Sequence, residues 1–197
     1  MIAKTAIIYP NVHIGKNAFI EDYCIIGVQF KNYMGEETII GDNAIIRSHA
    51  VIYAGTIIGN NFQSGNKANI REFNRIGDNV SVGSLSVVEH HVQIGNAVRV
   101  HSQAFIPEYT VLEDDCWIGP QVVITNAKYP KHPNVKNELK GARIGKNAKV
   151  GANSTLLPGI SIGKDALIGA GSVVVKDVRP GVIVVGNPAK ELGKVHY

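Results

Sequence analysis

An aliphatic residue recurs at every sixth position over nearly the whole 197-residue chain. The series starts at Ile2 and runs, with two interruptions, to residue 180. Only two of its positions, Ser64 and Pro180, are not aliphatic. A small or β-branched residue usually follows four positions later, and glycine often follows directly, as in Ile76-Gly77-Asp78-Asn79-Val80. A period of six fits neither the helical nor the simple strand periodicity, but it suits a prism in which each hexad forms one short strand and one corner.

Three hexads make one triangular coil, with the aliphatic and small residues inside and the polar pairs on the corners. The sequence holds 27 such hexads, which predict nine coils and, at a strand spacing of about 4.8 Å, a column roughly 43 Å long. The 21 glycines and the low aromatic content of 7% agree with many short strands and turns. We therefore predict an all-β chain, a parallel β-helix forming one domain over residues 1–185, with a short C-terminal tail over residues 186–197.

Two interruptions of the repeat predict loops over residues 27–39 and 126–143. Counted in threes, both follow the same hexad of their coil, so we expect both loops to leave the column at the same edge. The corners between them on that edge are Arg71-Glu72-Phe73, Glu89-His90-His91 and Pro107-Glu108-Tyr109. Loops that a solenoid could omit are frequently functional, so this edge is the predicted site.

The second loop accounts for the formal net charge of +4, because it holds five basic residues and one acidic residue, Glu138. These basic residues are Lys128, Lys131, Lys136, Lys140 and Arg143. Basic and aromatic residues do not alternate as they do in proteins that stack on bases, so we expect an anionic small molecule rather than a nucleic acid. A solvated loop without a ligand would explain the charge alone equally well. No stretch approaches the ~18 apolar residues of a membrane span, and we expect a cytoplasmic protein without a membrane partner.

The two cysteines, Cys24 and Cys116, both occupy the inward small position of a hexad. They fall four coils apart, about 19 Å along the predicted column, which is far beyond disulfide reach. We expect both to be core residues and neither to act as a nucleophile.

The histidine pair on the predicted site edge is the sharpest chemical signal. The register of the repeat turns His90 and His91 outward, and imidazole has a pKa suited to accepting a proton near neutral pH. His90 is the candidate general base for an acyl transfer to an amine or a hydroxyl. An exposed histidine with no catalytic role is the alternative.

The repeat resembles the left-handed parallel β-helix of the hexapeptide-repeat acyltransferases, over residues 2 to about 185. This resemblance implies an enzyme that takes acetyl-coenzyme A as co-substrate, needs no metal, and works as a homotrimer whose neighbouring column closes the active edge.

Within that family, two motifs resemble the N-acyltransferases of nucleotide-linked amino sugars. Val88-Glu89-His90 is similar to the catalytic segment of enzymes that act on 4-amino sugars, although His91 stands where an acid usually follows. The segment from Phe105 to Glu108 and residues 125–130 are similar to enzymes that act on 3-amino sugars, with Ala127 in place of an acid. The resemblance implies catalytic roles for His90, His91 and Asn126, and substrate contacts from Arg71, Glu72, Glu89, Glu108 and Tyr129.

The donor site is expected where Gly151-Ala152 and Gly169-Ala170 recur one coil apart, because small residues let a pantetheine arm approach backbone amides. The resemblance adds Lys176 and Lys190 as partners for the phosphates of the coenzyme. Tight corners without a ligand would use the same small residues.

Three alternatives stay open at this stage. The first is O-acetylation of a sugar or another small acceptor. The second is a metal-dependent hydratase of the carbonic anhydrase branch of this fold, which needs three converging histidines that His90, His91 and His101 do not obviously supply. The third is a structural β-helix without activity, which leaves the two loops and the histidine corner unexplained.

Overall fold

The computed structural model describes residues 1–196, which fold as the predicted all-β, left-handed parallel β-helix. Three sheets form the faces of a triangular column, and each strand of the coil pairs in parallel with the equivalent strand of the next coil. The sheets hold nine, eight and ten strands, in agreement with the predicted nine coils.

Sheet 1 contains nine short strands: Ile7–Ile8, Ile25–Val28, Val51–Tyr53, Asn69–Ile70, Val87–Val88, Phe105–Ile106, Val123–Ile124, Thr155–Leu156 and Val173–Val174. Sheet 2 contains eight: Val12–Ile14, Thr38–Ile40, Ile57–Ile58, Arg75–Ile76, Gln93–Ile94, Val111–Leu112, Arg143–Ile144 and Ser161–Ile162. Sheet 3 contains ten: Phe19–Ile20, Ile45–Ile46, Gln63–Ser64, Ser81–Val82, Arg99–Val100, Trp117–Ile118, Lys149–Val150, Leu167–Ile168, Val182–Val185 and Lys190–Lys194.

The core is a stack of the aliphatic repeat residues, one from nearly every strand of the three parallel sheets. Ile20, Ile26, Ile52, Ile70 and Ile118 are all fully buried. The two cysteines are buried and free, which confirms that they are core residues. Burial raises the pKa of the Cys116 thiol to about 12, so this sulfur is protonated and unreactive at neutral pH.

The corners are held by a left-handed residue at their third position and by side-chain ladders. Asn43, Asn61 and Asn79 have φ near +58° and pass amide hydrogen bonds from coil to coil at 2.9–3.1 Å. Asparagine tolerates this backbone region better than most residues with a side chain. The ladder explains why asparagine recurs after the polar position of many hexads.

Both loops leave the end of sheet 1, as predicted, but the first is shorter than predicted and the second begins and ends one residue earlier. The first covers residues 29–37, because Val28 continues its strand after a bulge and pairs with Tyr53, while Thr38 begins the next strand against Val12. The second covers residues 125–142 and contains one 3-10 turn, Val135–Asn137, because Arg143 already pairs with Val111.

The segment after residue 185 folds back on the column. Lys190–Lys194 pairs antiparallel with Val182–Val185 and forms the last strand of sheet 3. Part of the expected tail is therefore a strand, because the chain reverses in residues 186–189; Tyr197 lies outside the described residues.

One strand offers a matched test of the core. Ile40 is 1% exposed and points into the column, whereas its neighbour Ile39 is 36% exposed and points outward. We expect Ile40→Ala to lower the free energy of unfolding by about 2–5 kcal/mol because it leaves a cavity, and Ile39→Ala by less than about 1 kcal/mol. Urea unfolding of both variants measures the difference; equal losses would contradict the inward register.

Candidate functional site

The candidate site lies on the corner that joins sheet 1 to sheet 2, which we call corner 1. It consists of the turns after the sheet 1 strands, residues 71–73, 89–91, 107–109 and 125–127. Because the coils stack in register, residues 18 positions apart lie above one another. Corner 1 thus presents three columns of side chains between the two loops, as the phase of the interruptions predicts.

The middle column carries a continuous line of polar contacts. Asn126 donates from Nδ2 to Glu108 Oε2 at 2.7 Å, and Glu108 Oε1 lies 3.6 Å from His90 Nε2. The side chains of His90 and Glu108 are 26% and 23% exposed, so this contact is partly shielded from water. An amide, a carboxylate and an imidazole from three successive coils therefore form one line.

Arg71 organises the carboxylates at the other end of the corner. Its guanidinium donates two hydrogen bonds to Glu72, at 2.8 and 2.9 Å, and a third to Glu89 at 3.3 Å. The same guanidinium lies 5.0 Å from the centre of the Tyr53 ring in the preceding coil. The two acids and the guanidinium are fixed by contacts within the chain.

The pKa values of the two acids that Arg71 contacts are shifted in opposite directions. Burial alone would raise the pKa of Glu72, but the hydrogen bonds from Arg71 outweigh it and leave that pKa below its usual value. Burial raises the pKa of Glu89, and the nearby Glu108 charge adds to this effect, while Arg71 opposes it. Glu72 is thus the more firmly ionised member of the pair.

His90 in the middle column contacts His91, which lies in the column formed by the third residue of each turn. His90 Nδ1 and His91 Nδ1 are 2.8 Å apart, a hydrogen bond in which one ring donates and the other accepts. The His91 ring lies between Phe73 and Tyr109, at centroid distances of 5.1 and 5.8 Å. Burial lowers the pKa of His91, and the neighbouring His90 lowers it further, so His91 is predominantly neutral near pH 7.

The first loop reaches the site through Phe30, a contact that sequence reasoning missed. Phe30 packs edge-on against Phe73 at 5.1 Å, and Tyr33 packs against Phe30 at 6.0 Å. Gly55, with φ of +78°, leaves the space for Phe73, because a Cβ there would lie 2.9 Å from that ring. The 18-residue spacing of Gly55, Phe73 and His91 predicts this column of side chains, but it does not reveal that Phe30 joins it.

Seven of the residues predicted for catalysis or substrate binding lie together at corner 1, and one lies apart. Those brought together are Arg71, Glu72, Glu89, His90, His91, Glu108 and Asn126. Tyr129 lies on the exposed part of the second loop, where Lys128 Nζ sits 5.4 Å from the centre of its ring.

The residues predicted for the donor site divide between two places. Gly151-Ala152 and Gly169-Ala170 stack on the corner that follows sheet 3. A Cβ at Gly151 would lie 2.5 Å from the backbone nitrogen of Ala170, so the close approach of the next coil favours glycine here even without a ligand. Lys190 pairs with Val185 at the end of sheet 3, whereas Lys176 follows the last sheet 1 strand, at corner 1.

Residues 1–196 contain neither a side-chain cluster suited to a metal ion nor a helix suited to crossing a membrane. No group of three or more histidine, cysteine or acidic side chains in this part of the chain has the geometry to hold a metal ion. Over the same residues, no helix has both the length and the apolar character needed to cross a bilayer.

Comparison with known proteins relates the repeat to a family. The model of the bacterial transferase hexapeptide (six repeats) matches residues 75–108 and 141–176. Nodulation protein L of Rhizobium meliloti (strain 1021) is 48% identical over 84 residues, which are 41% of this chain and 46% of that protein. This chain thus matches less than half the length of that relative.

Solved structures share the fold over nearly the whole chain. UDP-N-acetylglucosamine O-acyltransferase from Moraxella catarrhalis RH4 superposes with a TM-score of 0.62 at 23% identity, covering 98% of this chain and 74% of that one. UDP-N-acetylglucosamine acyltransferase from Campylobacter jejuni gives 0.53 at 20% identity, covering 98% and 75%. The repeat of the bacterial transferase hexapeptide model is thus present in residues 75–108 and 141–176, and these solved structures share the parallel β-helix fold of the chain.

Proposed function

We propose that the protein is an acyltransferase that transfers the acetyl group of acetyl-coenzyme A to the amino group of a nucleotide-linked amino sugar. The observation that carries this proposal is the histidine pair at corner 1, which offers a neutral imidazole on an accessible edge between the two loops. Transfer of an acyl group from a thioester to an amine needs a group that accepts a proton from the attacking nitrogen.

The charge at corner 1 favours an amine over a hydroxyl acceptor. Three carboxylates, Glu72, Glu89 and Glu108, surround His90, and one guanidinium, that of Arg71, faces them. An acidic cluster of this kind attracts an ammonium group, which is the resting form of most sugar amines at neutral pH. A neutral hydroxyl would gain no comparable attraction, so O-acetylation is the second candidate and belongs in the acceptor panel.

The cysteines favour a direct transfer without an acyl-enzyme. Both thiols are buried in the core, and Cys116 has a pKa of about 12. Neither can reach a thioester bound at a corner. The amine then attacks the bound thioester within a complex of both substrates, the C–N bond forms, the C–S bond breaks, and the amine proton ends on the coenzyme A thiolate.

For the donor we propose the small-residue edge at Gly151, Ala152, Gly169 and Ala170, with Lys190 as a partner for its phosphates. Ala170 and Gly171 are exposed, and a Cβ at Gly171 would meet nothing within 4 Å, so this edge has room for a ligand. Lys176 lies on corner 1 and would meet a different part of the coenzyme from Lys190.

A homotrimer would complete the site, because the site edge of one chain is open. A groove of about 720 Å³ lies on sheet 2 and includes Arg75 and Arg143, but it does not include the histidine pair. The pair lies on the edge of the column, where a second chain could cover it. The outer face of sheet 1 carries a row of apolar residues suited to contact with another copy. This row contains Ile25, Val51, Val87, Phe105, Val123 and Val173.

The acceptor class can be tested by thiol release from acetyl-coenzyme A with a panel of nucleotide-linked 3-amino and 4-amino sugars. We expect turnover with an amino sugar and roughly 10²-fold less with the matching hydroxy sugar, and mass spectrometry should show an N-acetyl product.

Replacing both imidazoles, His90→Ala with His91→Asn, should lower turnover at least ~10²-fold, as expected for loss of a general base. His49→Asn, at an equivalent left-handed corner position, is the matched control. Turnover of hydroxy sugars alone would favour O-acetylation instead.

The route of transfer has a kinetic signature. We expect intersecting lines when initial rates are measured against both substrates, as a complex of both substrates requires, and no acetyl group on Cys24 or Cys116 by peptide mass spectrometry. Parallel lines with a trapped acetyl-protein would show a two-step transfer and overturn the direct mechanism.

The assembly can be measured without substrates. Sedimentation velocity should give about three chain masses, and Val51→Lys on the apolar face of sheet 1 should shift the protein toward smaller species without unfolding it. A monomer that keeps full activity at assay concentration would show that one chain suffices.

A further inference from the structure

We infer that His91, through Nε2, is the group that accepts the proton, and that His90 and Glu108 are positioning residues that hold His91 in the required tautomer. This inference rests on the proposed function. It differs from the expectation that His90 itself is the base.

The four ring nitrogens of the histidine pair differ in the groups that they face. His90 Nε2 faces Glu108 at 3.6 Å, and His90 Nδ1 is hydrogen-bonded to His91 Nδ1. Both nitrogens of His90 therefore face groups of the protein. Among residues 1–196, His91 Nε2 takes part in no hydrogen bond, and the His91 residue is exposed.

The carboxylate of Glu108 determines which ring nitrogens carry hydrogen in the neutral pair. A carboxylate opposite His90 Nε2 favours a hydrogen on that nitrogen, because a lone pair there would face a negative charge. Neutral His90 then carries a lone pair on Nδ1, so His91 donates from Nδ1. Neutral His91 is left with its lone pair on Nε2, the nitrogen that points away from the pair.

The transferred proton has a path through both rings. When the amine attacks the thioester, its proton moves to His91 Nε2, and the proton on His91 Nδ1 can move to His90 Nδ1. The positive charge then rests on the ring that lies among Glu72, Glu89 and Glu108, where opposite charges stabilise it. The proton returns by the same line to the thiolate as the C–S bond breaks.

Neighbouring side chains hold Glu108 and His91 in these orientations. Asn126 holds Oε2 of Glu108, which leaves Oε1 turned toward His90. Phe73 and Tyr109 flank the His91 ring and limit its rotation. The acid that orients the pair thus comes from the next coil, 18 residues after His90, rather than from the position that follows it.

The first test compares single variants by their kinetic constants. We expect His91→Asn to lower kcat at least ~10²-fold, with KM changed less than about threefold and partial recovery on adding imidazole. Asparagine suits the left-handed backbone at residue 91, where φ is +58°. His90→Ala and Glu108→Gln should each cost about tenfold in kcat, and Glu108→Gln should add little to His91→Asn because both act through one line. His91→Asn with near wild-type kcat, beside a His90→Ala loss of ~10²-fold, would overturn the assignment.

The second test needs no substrate. Diethyl pyrocarbonate acylates unprotonated, accessible imidazole nitrogens, and peptide mass spectrometry can separate the two adjacent sites. We expect His91 to react about as fast as His49, which is also exposed and has only Nδ1 bonded, to the Ser48 hydroxyl. His90 should react several-fold more slowly, and faster in His91→Asn.

The two tests separate the inference from the proposed function. A reactive His91 beside a protected His90 supports the assignment even if no acceptor in the panel is acetylated, and in that case the proposed function alone fails. Equal or faster reaction of His90 overturns the assignment, whatever the acceptor panel shows.

Discussion

The stacking of coils in register is the constraint on which the rest of this structure depends. Each strand pairs with the strand one coil away, so equivalent residues lie above one another at the spacing of strands in a sheet, about 4.8 Å. A side chain at one corner therefore meets side chains of the same corner position before it meets anything else. Residues at intervals of 18 in the sequence therefore form columns in space, and these columns make up both the core and the candidate site.

In the core, the columns bring aliphatic residues together without any precise fit between different elements. Ile52 and Ile70 pack as successive members of one column, and Ile58 and Ile76 as members of another. On corner 1 the same geometry brings unlike residues together, because the repeat leaves corner positions free to vary. The fold thus supplies a scaffold whose corner positions can bring polar side chains from successive coils into contact.

The extent to which the sequence predicts this molecule follows from the same rule. The period of six and the phase of the two interruptions predicted the three sheets, and they placed Glu72, His90, Glu108 and Asn126 on one edge. The orientation of the imidazoles was beyond that reasoning, since it depends on side-chain rotation and on an acid one coil away. The contact of Phe30 with Phe73 also required the path of a loop, which no repeat determines.

The antiparallel strand Lys190–Lys194 has a consequence for how columns of this kind can associate. A stack of identical coils offers, at its end, the same open strand edges that pair its coils internally, and such edges invite end-to-end joining of separate molecules. Here the last strand of sheet 3 runs against the others and carries Lys190, Glu191 and Lys194. A parallel coil from another molecule would meet reversed backbone polarity and charged side chains at this edge. The turn after residue 185 thus discourages end-to-end joining through the sheet 3 edge at this end of the column.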